Sequence, residues 1–300
     1  MKKILIILLI VFCLVGCTSK NEGSNQEEIR DINYKIVTPS GAPSLSLIDF
    51  VDDERISIDV VDGGDVLQAE FTTANADIII APINLGAKLS SVTGNYKLAA
   101  VLTWGNLHLV STLDNIDDLN KVAAFGQAAV PGKVLNYLSD ELPFEFEWFE
   151  NVNEASASLL AGKNNAAVLA EPILTMTKAK SENEIHELID IQELYKEKTG
   201  FDSYPQAALF VNVNIAESED LKYFLNQIDM ANDIYNKDND ALAKRIDEID
   251  LSVLGFGNPD LIKKAYSKMA LDYKEAGNVK EEIKTFLELF DISLDEKIIN

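Results

Sequence analysis

An otherwise apolar run, "AAVLAE" at 166–171, ends in a glutamate, and Pro172 follows at once. A short run without polar residues suits a strand buried on both faces. Proline is tolerated in the first turn of a helix, where its missing N–H would have had no partner. Glu171 therefore stands between the tip of a buried strand and the start of a helix. A carboxylate there can pair with an amino group of a ligand, accept from the helix's first N–H groups, or meet a lysine of this chain. Other strand ends carry comparable equipment. Ser40, Gly41 and Ala42 in "PSGAP" are small enough to let backbone N–H groups approach a ligand, and a turn chosen for its backbone angles would use them too. Asn84 in "APINLGA" can donate and accept, or cap a helix. Gly126 and Gln127 in "FGQAAVPGK" open a further helix. Trp104, beside Gly105 and Asn106, offers a ring that could stack on a planar ligand or a cation, or pack a hinge. Tyr204, before Pro205, either closes a cleft or serves the fold.

What is missing narrows the chemistry. Arg30, Arg55 and Arg245 are the only arginines, and none lies in these motifs. A site that clamps sulfonate or carboxylate in bidentate fashion would favour arginine, so planar neutral or cationic ligands gain weight. Sulfonate-type ligands stay open, because helix N-termini alone can hold oxyanions. His108 and His186 are the only histidines and lie far apart, so no zinc or copper site is expected. No nucleophile elbow or Ser-His-Asp arrangement stands out. The glycine-rich turn at 126–132 lacks the spacing of a phosphate loop. We expect no metal, no cofactor and no catalysis.

These residues need elements to hold them. Apolar runs predict strands over 34–38, 56–61, 76–81, 97–104, 107–111, 121–125, 144–149, 166–170, 186–191 and 207–213. Helical patterns lie between most of them, as at 44–51, 66–73, 133–141 and 154–161. After 213 the pattern turns helical, over 219–236, 259–276 and 279–290. This is an α/β chain whose sheets are covered on both faces. Two stretches, "NADIIIAPI" (75–83) and "NAAVLAEPI" (165–173), form a weak internal repeat, each preceded by a helix and ending in a proline that opens another. Two similar lobes follow from the repeat, and 300 residues exceed what one core commonly organises. Ligands of open α/β sheets sit beyond the carboxyl ends of strands, where Glu171 and its counterpart Ala81 stand.

The chain begins with Lys2, Lys3 and an apolar run from Ile4 to Val15, which reads as a secretory signal too short to span a membrane. The following "LVGC" resembles the lipobox of bacterial lipoproteins. That resemblance implies a signal peptide over 1–16, lipid such as palmitate on Cys17, and a flexible tether over 17–32. The other cysteine, Cys13, lies in the discarded segment, so thiol catalysis is excluded. The formal net charge of −23 disfavours nucleic acid and anionic lipid as direct partners.

In chain order, "TPSGAPSLSL" (38–47), "ADIIIAPINLGAKL" (76–89), "LTWGNLHLVS" (102–111), "AFGQAAVPGKVL" (124–135) and "AAVLAEPI" (166–173) resemble the solute-binding proteins of ABC importers in the nitrate, sulfonate, taurine and thiamine-precursor group. The resemblance runs from about Asn33 to the C-terminal helices. It implies a two-lobed type II periplasmic-binding-protein fold with a hinge and an interlobe cleft, lobe I over 33–107 and 206–300 and lobe II over 108–205. It also implies a small-molecule solute in the cleft, an ABC permease and its ATPase as partners, and a monomer held on the extracytoplasmic face of the cell membrane through its lipid alone. The ligand-binding candidates are then Ser40, Gly41, Ala42, Asn84, Trp104, Asn106, Gly126, Gln127, Glu171 and Tyr204. One rival is an enzyme of the same fold, like the pyrimidine-precursor synthases; these use a cysteine-rich, histidine-containing region, and this chain has no cysteine beyond Cys17. The other is a surface interaction protein without a ligand.

Overall fold

The computed structural model describes residues 32–300, which form a single unit. The expected signal peptide, Cys17 and nearly all of the tether lie outside the described residues. Ile32, expected to end the tether, is instead buried in the core.

The chain runs from β1 (Tyr34–Pro39) through a 3-10 helix (Ala42–Phe50) to β2 (Ile56–Val61), α1 (Gly64–Thr73), β3 (Ile78–Pro82) and α2 (Ile83–Thr93). β4 (Tyr96–Trp104) then passes into β5 (Leu107–Ser111) with only two residues between them. Next come β6 (Lys121–Phe125), α3 (Val130–Tyr137), β7 (Glu145–Phe149), α4 (Val152–Leu160), β8 (Ala166–Ala170) and α5 (Ile173–Lys180). β9 (His186–Asp190) and α6 (Ile191–Thr199) lead to β10 (Pro205–Asn212), followed by α7 (Glu219–Lys237), α8 (Asn239–Glu248), α9 (Pro259–Ala265), β11 (Leu271–Glu275) and α10 (Lys280–Glu288).

The strands make two sheets, ordered β11-β4-β10-β3-β1-β2 and β7-β6-β8-β5-β9. In each, three parallel strands stand with the first in the middle, and an antiparallel strand lies against the third: β10 on β3, and β5 on β8. The repeat seen in the sequence is thus β3 and β8 with their flanking helices, at the same place in each sheet. Ile78 to Ala81 and Ala166 to Leu169 are all buried, as strands covered on both faces must be.

Each of the ten expected strands is present, within two residues at either end. The stretch 44–51 is helical as expected, but as a 3-10 helix. A helix over 259–276 is not what forms. α9 stops at Ala265, Ala270 adopts a left-handed φ of 53°, and 271–275 extends as an edge strand on β4. "LDYKE" alternates as well as it spirals, and a tertiary partner decides: Trp104 N–H donates to Ala270 O at 2.9 Å and the Trp104 indole N–H to Asp272 O at 2.8 Å. α8 was not legible as a separate helix; Asp238 caps it, accepting from the N–H groups of Asp240 and Ala241.

The chain passes between the sheets twice, at Gly105–Asn106 and just before Pro205, and the passages lie side by side. Gly105 N–H donates to Tyr204 O at 2.9 Å and faces Ser203 Oγ at 3.0 Å. Gln192 clamps the outgoing passage, its Oε1 accepting from Leu107 N–H (2.9 Å) and its Nε2 donating to Leu107 O (3.0 Å). A Cβ on Gly105 would sit 2.5 Å from the Tyr204 ring and 2.9 Å from Gln192 Cγ. Gly105→Ala is therefore expected to destabilise the protein by about 1–3 kcal/mol through overpacking, read by chemical denaturation. An unchanged midpoint would show that the passages have slack.

Candidate ligand-binding site

Strand order reverses around β1 in one sheet and around β6 in the other, so the connections leaving adjacent strand ends diverge to opposite faces and leave a crevice. The two crevices share one cavity of about 690 Å³. Ser40, Gly41 and Ala42 reach it from the end of β1, and Asn84 and Leu85 from the end of β3. Phe125 and Ala128 to Pro131 reach it from β6, and Glu171 to Ile173 from β8. Thr103, Asn106, Gln206 and Ala207 line it at the two passages, and Gly255 to Asn258 close one wall ahead of α9.

Glu171 is only 4% exposed. Its Oε2 accepts from Thr175 N–H at 3.0 Å and its Oε1 from the Thr175 hydroxyl at 2.9 Å. Of the partners open to it in the sequence, the following helix has claimed it: the carboxylate caps α5 from outside, where Pro172 at the N-cap provides no side-chain cap. Each carboxylate oxygen keeps a further lone pair.

Asn106 is 3% exposed. Its Nδ2 faces Glu171 O at 3.4 Å and Met269 O at 3.5 Å. Turning the amide over would set oxygen against oxygen, so Oδ1 is the free end, and it has no partner. Asn84 Oδ1 and Gln206 Oε1 are likewise buried without partners.

The other candidates divide. Ser40 lines the cavity while its hydroxyl donates to Asp62 Oδ1 at 2.8 Å. Gly41, at φ 104°, and Ala42 line it too. Gly126 and Gln127 do not. Gly126, at φ 62°, forms the turn itself, its carbonyl accepting from Ala129 and Gly132 N–H, so Ala128 to Pro131 face the opening instead. Trp104 and Tyr204 stand away from it as well. The Trp104 ring lies under Lys274 Nζ at 4.5 Å and borders a separate depression together with His108 and Asp190. Tyr204 is wholly buried, stacked on Phe286 at 5.4 Å, and burial pushes its phenol well above the ordinary value. Among the described residues, no group of three or more His, Cys, Asp or Glu could hold a metal ion.

Gln206 was missed, although it is the one polar side chain within "PQAALF". The wall from Gly255 to Asn258 was missed too; "GFGN" reads only as a turn between helices. Glu171→Ala leaves Thr175 N–H without its acceptor, and a loss of about 1 kcal/mol is expected in the ligand-free protein. Denaturation with no change in midpoint would mean that α5 does not need the carboxylate.

No family model matches the sequence, and no curated protein matches it. Solved structures do match. An ABC transporter protein from Parabacteroides distasonis superposes with a TM-score of 0.72 at 22% identity, covering 90% of this chain and 95% of that one. The periplasmic aliphatic sulphonate binding protein of Escherichia coli gives 0.66 at 10% identity, over 90% and 92%. The ligand binding component of an ABC-type import system from Staphylococcus aureus, solved with zinc bound, gives 0.63 at 12% identity, over 88% and 94%. At such identities the likeness is one of fold, and the chain has the two-lobed α/β architecture of the type II periplasmic binding proteins, with a hinge at the paired passages and a cleft between the sheets.

Proposed function

We propose that this protein is the solute-binding component of an ABC importer, lipid-anchored through Cys17 on the extracytoplasmic face of the cell membrane. The observation that carries the reading is the cavity: strand ends of both sheets and both passages contribute to one space. Its volume of about 690 Å³ falls within the roughly 300–1,000 Å³ of small-molecule pockets. Lobe I comprises 33–107 and 206–300, and lobe II comprises 108–205. A solute that touches both lobes stabilises their closed arrangement by its differential affinity for it. The closed monomer then delivers the solute to a permease driven by a separate ATPase. The fold shared with importer components supports this role, and no observation favours catalysis.

Incubating the full chain with a cell extract tests the reading. One unchanged compound should be retained and should raise the melting temperature; at a hundredfold excess over Kd the gain is about 2.7 kcal/mol. Turnover of the compound would point to an enzyme instead, and retention of nothing would contradict the receptor. Cys17→Ala should release the protein from membranes without unfolding it, and continued attachment in a fractionation assay would refute the anchor.

A further inference from the structure

We infer that Glu187 and Lys268 form an ionic tie that holds shut the seam between α5 and α9, and so bias the cavity towards closure. This rests on the solute-binding reading above and concerns the regulation of the same site.

Outside the passages, α5 of lobe II packs against α9 of lobe I. Ile173 and Met176 on one helix and Leu261 and Ile262 on the other line the cavity, so this seam is part of its wall. Apolar contact is non-directional and does not by itself fix how the helices abut. Charge does so at the outer end. Lys178, near the end of α5, donates to Glu187 Oε1. Lys268, just beyond α9, donates to the same oxygen at 3.2 Å. One carboxylate thus gathers the far ends of both helices. Of the ion pairs found between described residues, Lys268–Glu187 alone joins one lobe to the other.

The local fold aims Glu187 at this task. β9 is an edge strand, and its pairing with β5 slips by one residue: Leu109 opposes Ile189, but Val110 opposes Glu187. Opposed residues of an antiparallel pair share a face, and a bulge re-aims the side chains beyond it. Regular pairing would set Leu188 opposite Val110 and turn Glu187 away. The slip instead brings Glu187 to the face of His108 and Asp190, and all three border the depression that Lys268 also lines. The Glu187 and Lys268 side chains are 32% and 49% exposed. Pairs placed so openly are weak, so this one shifts an open–closed ratio and does not lock it. The closed fraction of the empty chain in turn scales the apparent affinity for solute. Lys178 separates the tie from a general charge effect. It shares a lobe with Glu187, so its loss leaves the cross-lobe pair in place.

Pulsed electron resonance on the full chain without solute tests this. Spin labels go on Ala179→Cys in α5 and Lys264→Cys in α9, both exposed positions, with Cys13→Ala and Cys17→Ala as background. Glu187→Gln and Lys268→Gln should each raise the ratio of long to short distances about two- to fivefold. The double variant should go no further than either single one, and Lys178→Gln should leave the ratio where it was. In 1 M KCl, where charges are screened beyond about 3 Å, the parent should approach the variants' ratio and the variants should not change. An unaltered ratio in both Glu187→Gln and Lys268→Gln would overturn the tie. So would Lys178→Gln opening the seam as far as Lys268→Gln does. Either result leaves the receptor reading to the extract experiment, which follows retention of a compound and not the seam.

Discussion

The Gly105 N–H to Tyr204 O hydrogen bond joins the two passages of chain that, among the described residues, run between the sheets, and the site depends on it. It holds β4 and β5 in line on one side and the start of β10 on the other, so the strand tips of both sheets face one space. Two short passages also leave few backbone torsions to connect the halves. The absence of a side chain at Gly105 lets the Tyr204 ring lie against the passage, and Phe286 of α10 covers that ring from the other side. The C-terminal helix is in this way tied to the hinge as well as to the sheet.

The same geometry leaves polar atoms unsatisfied around the cavity. A buried amide oxygen without a partner lowers stability, and Asn84, Asn106 and Gln206, which line the cavity, each carry one behind its wall. Glu171 illustrates the complementary solution. Its carboxylate is too buried to stand alone, and Thr175, one turn into α5, satisfies both oxygens. The start of α5 has its acceptor, and Glu171 still lines the cavity.

Much of this was legible in the sequence, for identifiable reasons. Fully buried strands are short runs of Ile, Val, Leu and Ala bounded by polar residues, so β3 and β8 could be found and recognised as a repeat. Their position fixed where the strand tips, and hence Asn84, Asn106 and Glu171, had to stand. Orientation was less accessible. Trp104 and Tyr204 flank the passages as expected, but the Trp104 ring turns to β11 and the Tyr204 ring to Phe286, and neither partner adjoins them in sequence. β11 itself was hidden because an edge strand of five residues alternates too briefly to be told from the end of a helix. The capping role of Glu171 and the inward face of Gln206 depend on which side chains meet in three dimensions, which spacing alone does not encode.

The most direct test is a crystal structure of the protein with its retained solute. The account predicts a solute in the cavity that touches residues of both sheets, among them Asn84 or Leu85 from one and Ala128 to Pro131 or Glu171 to Ile173 from the other. A solute lodged elsewhere, or held by one sheet only, would contradict it.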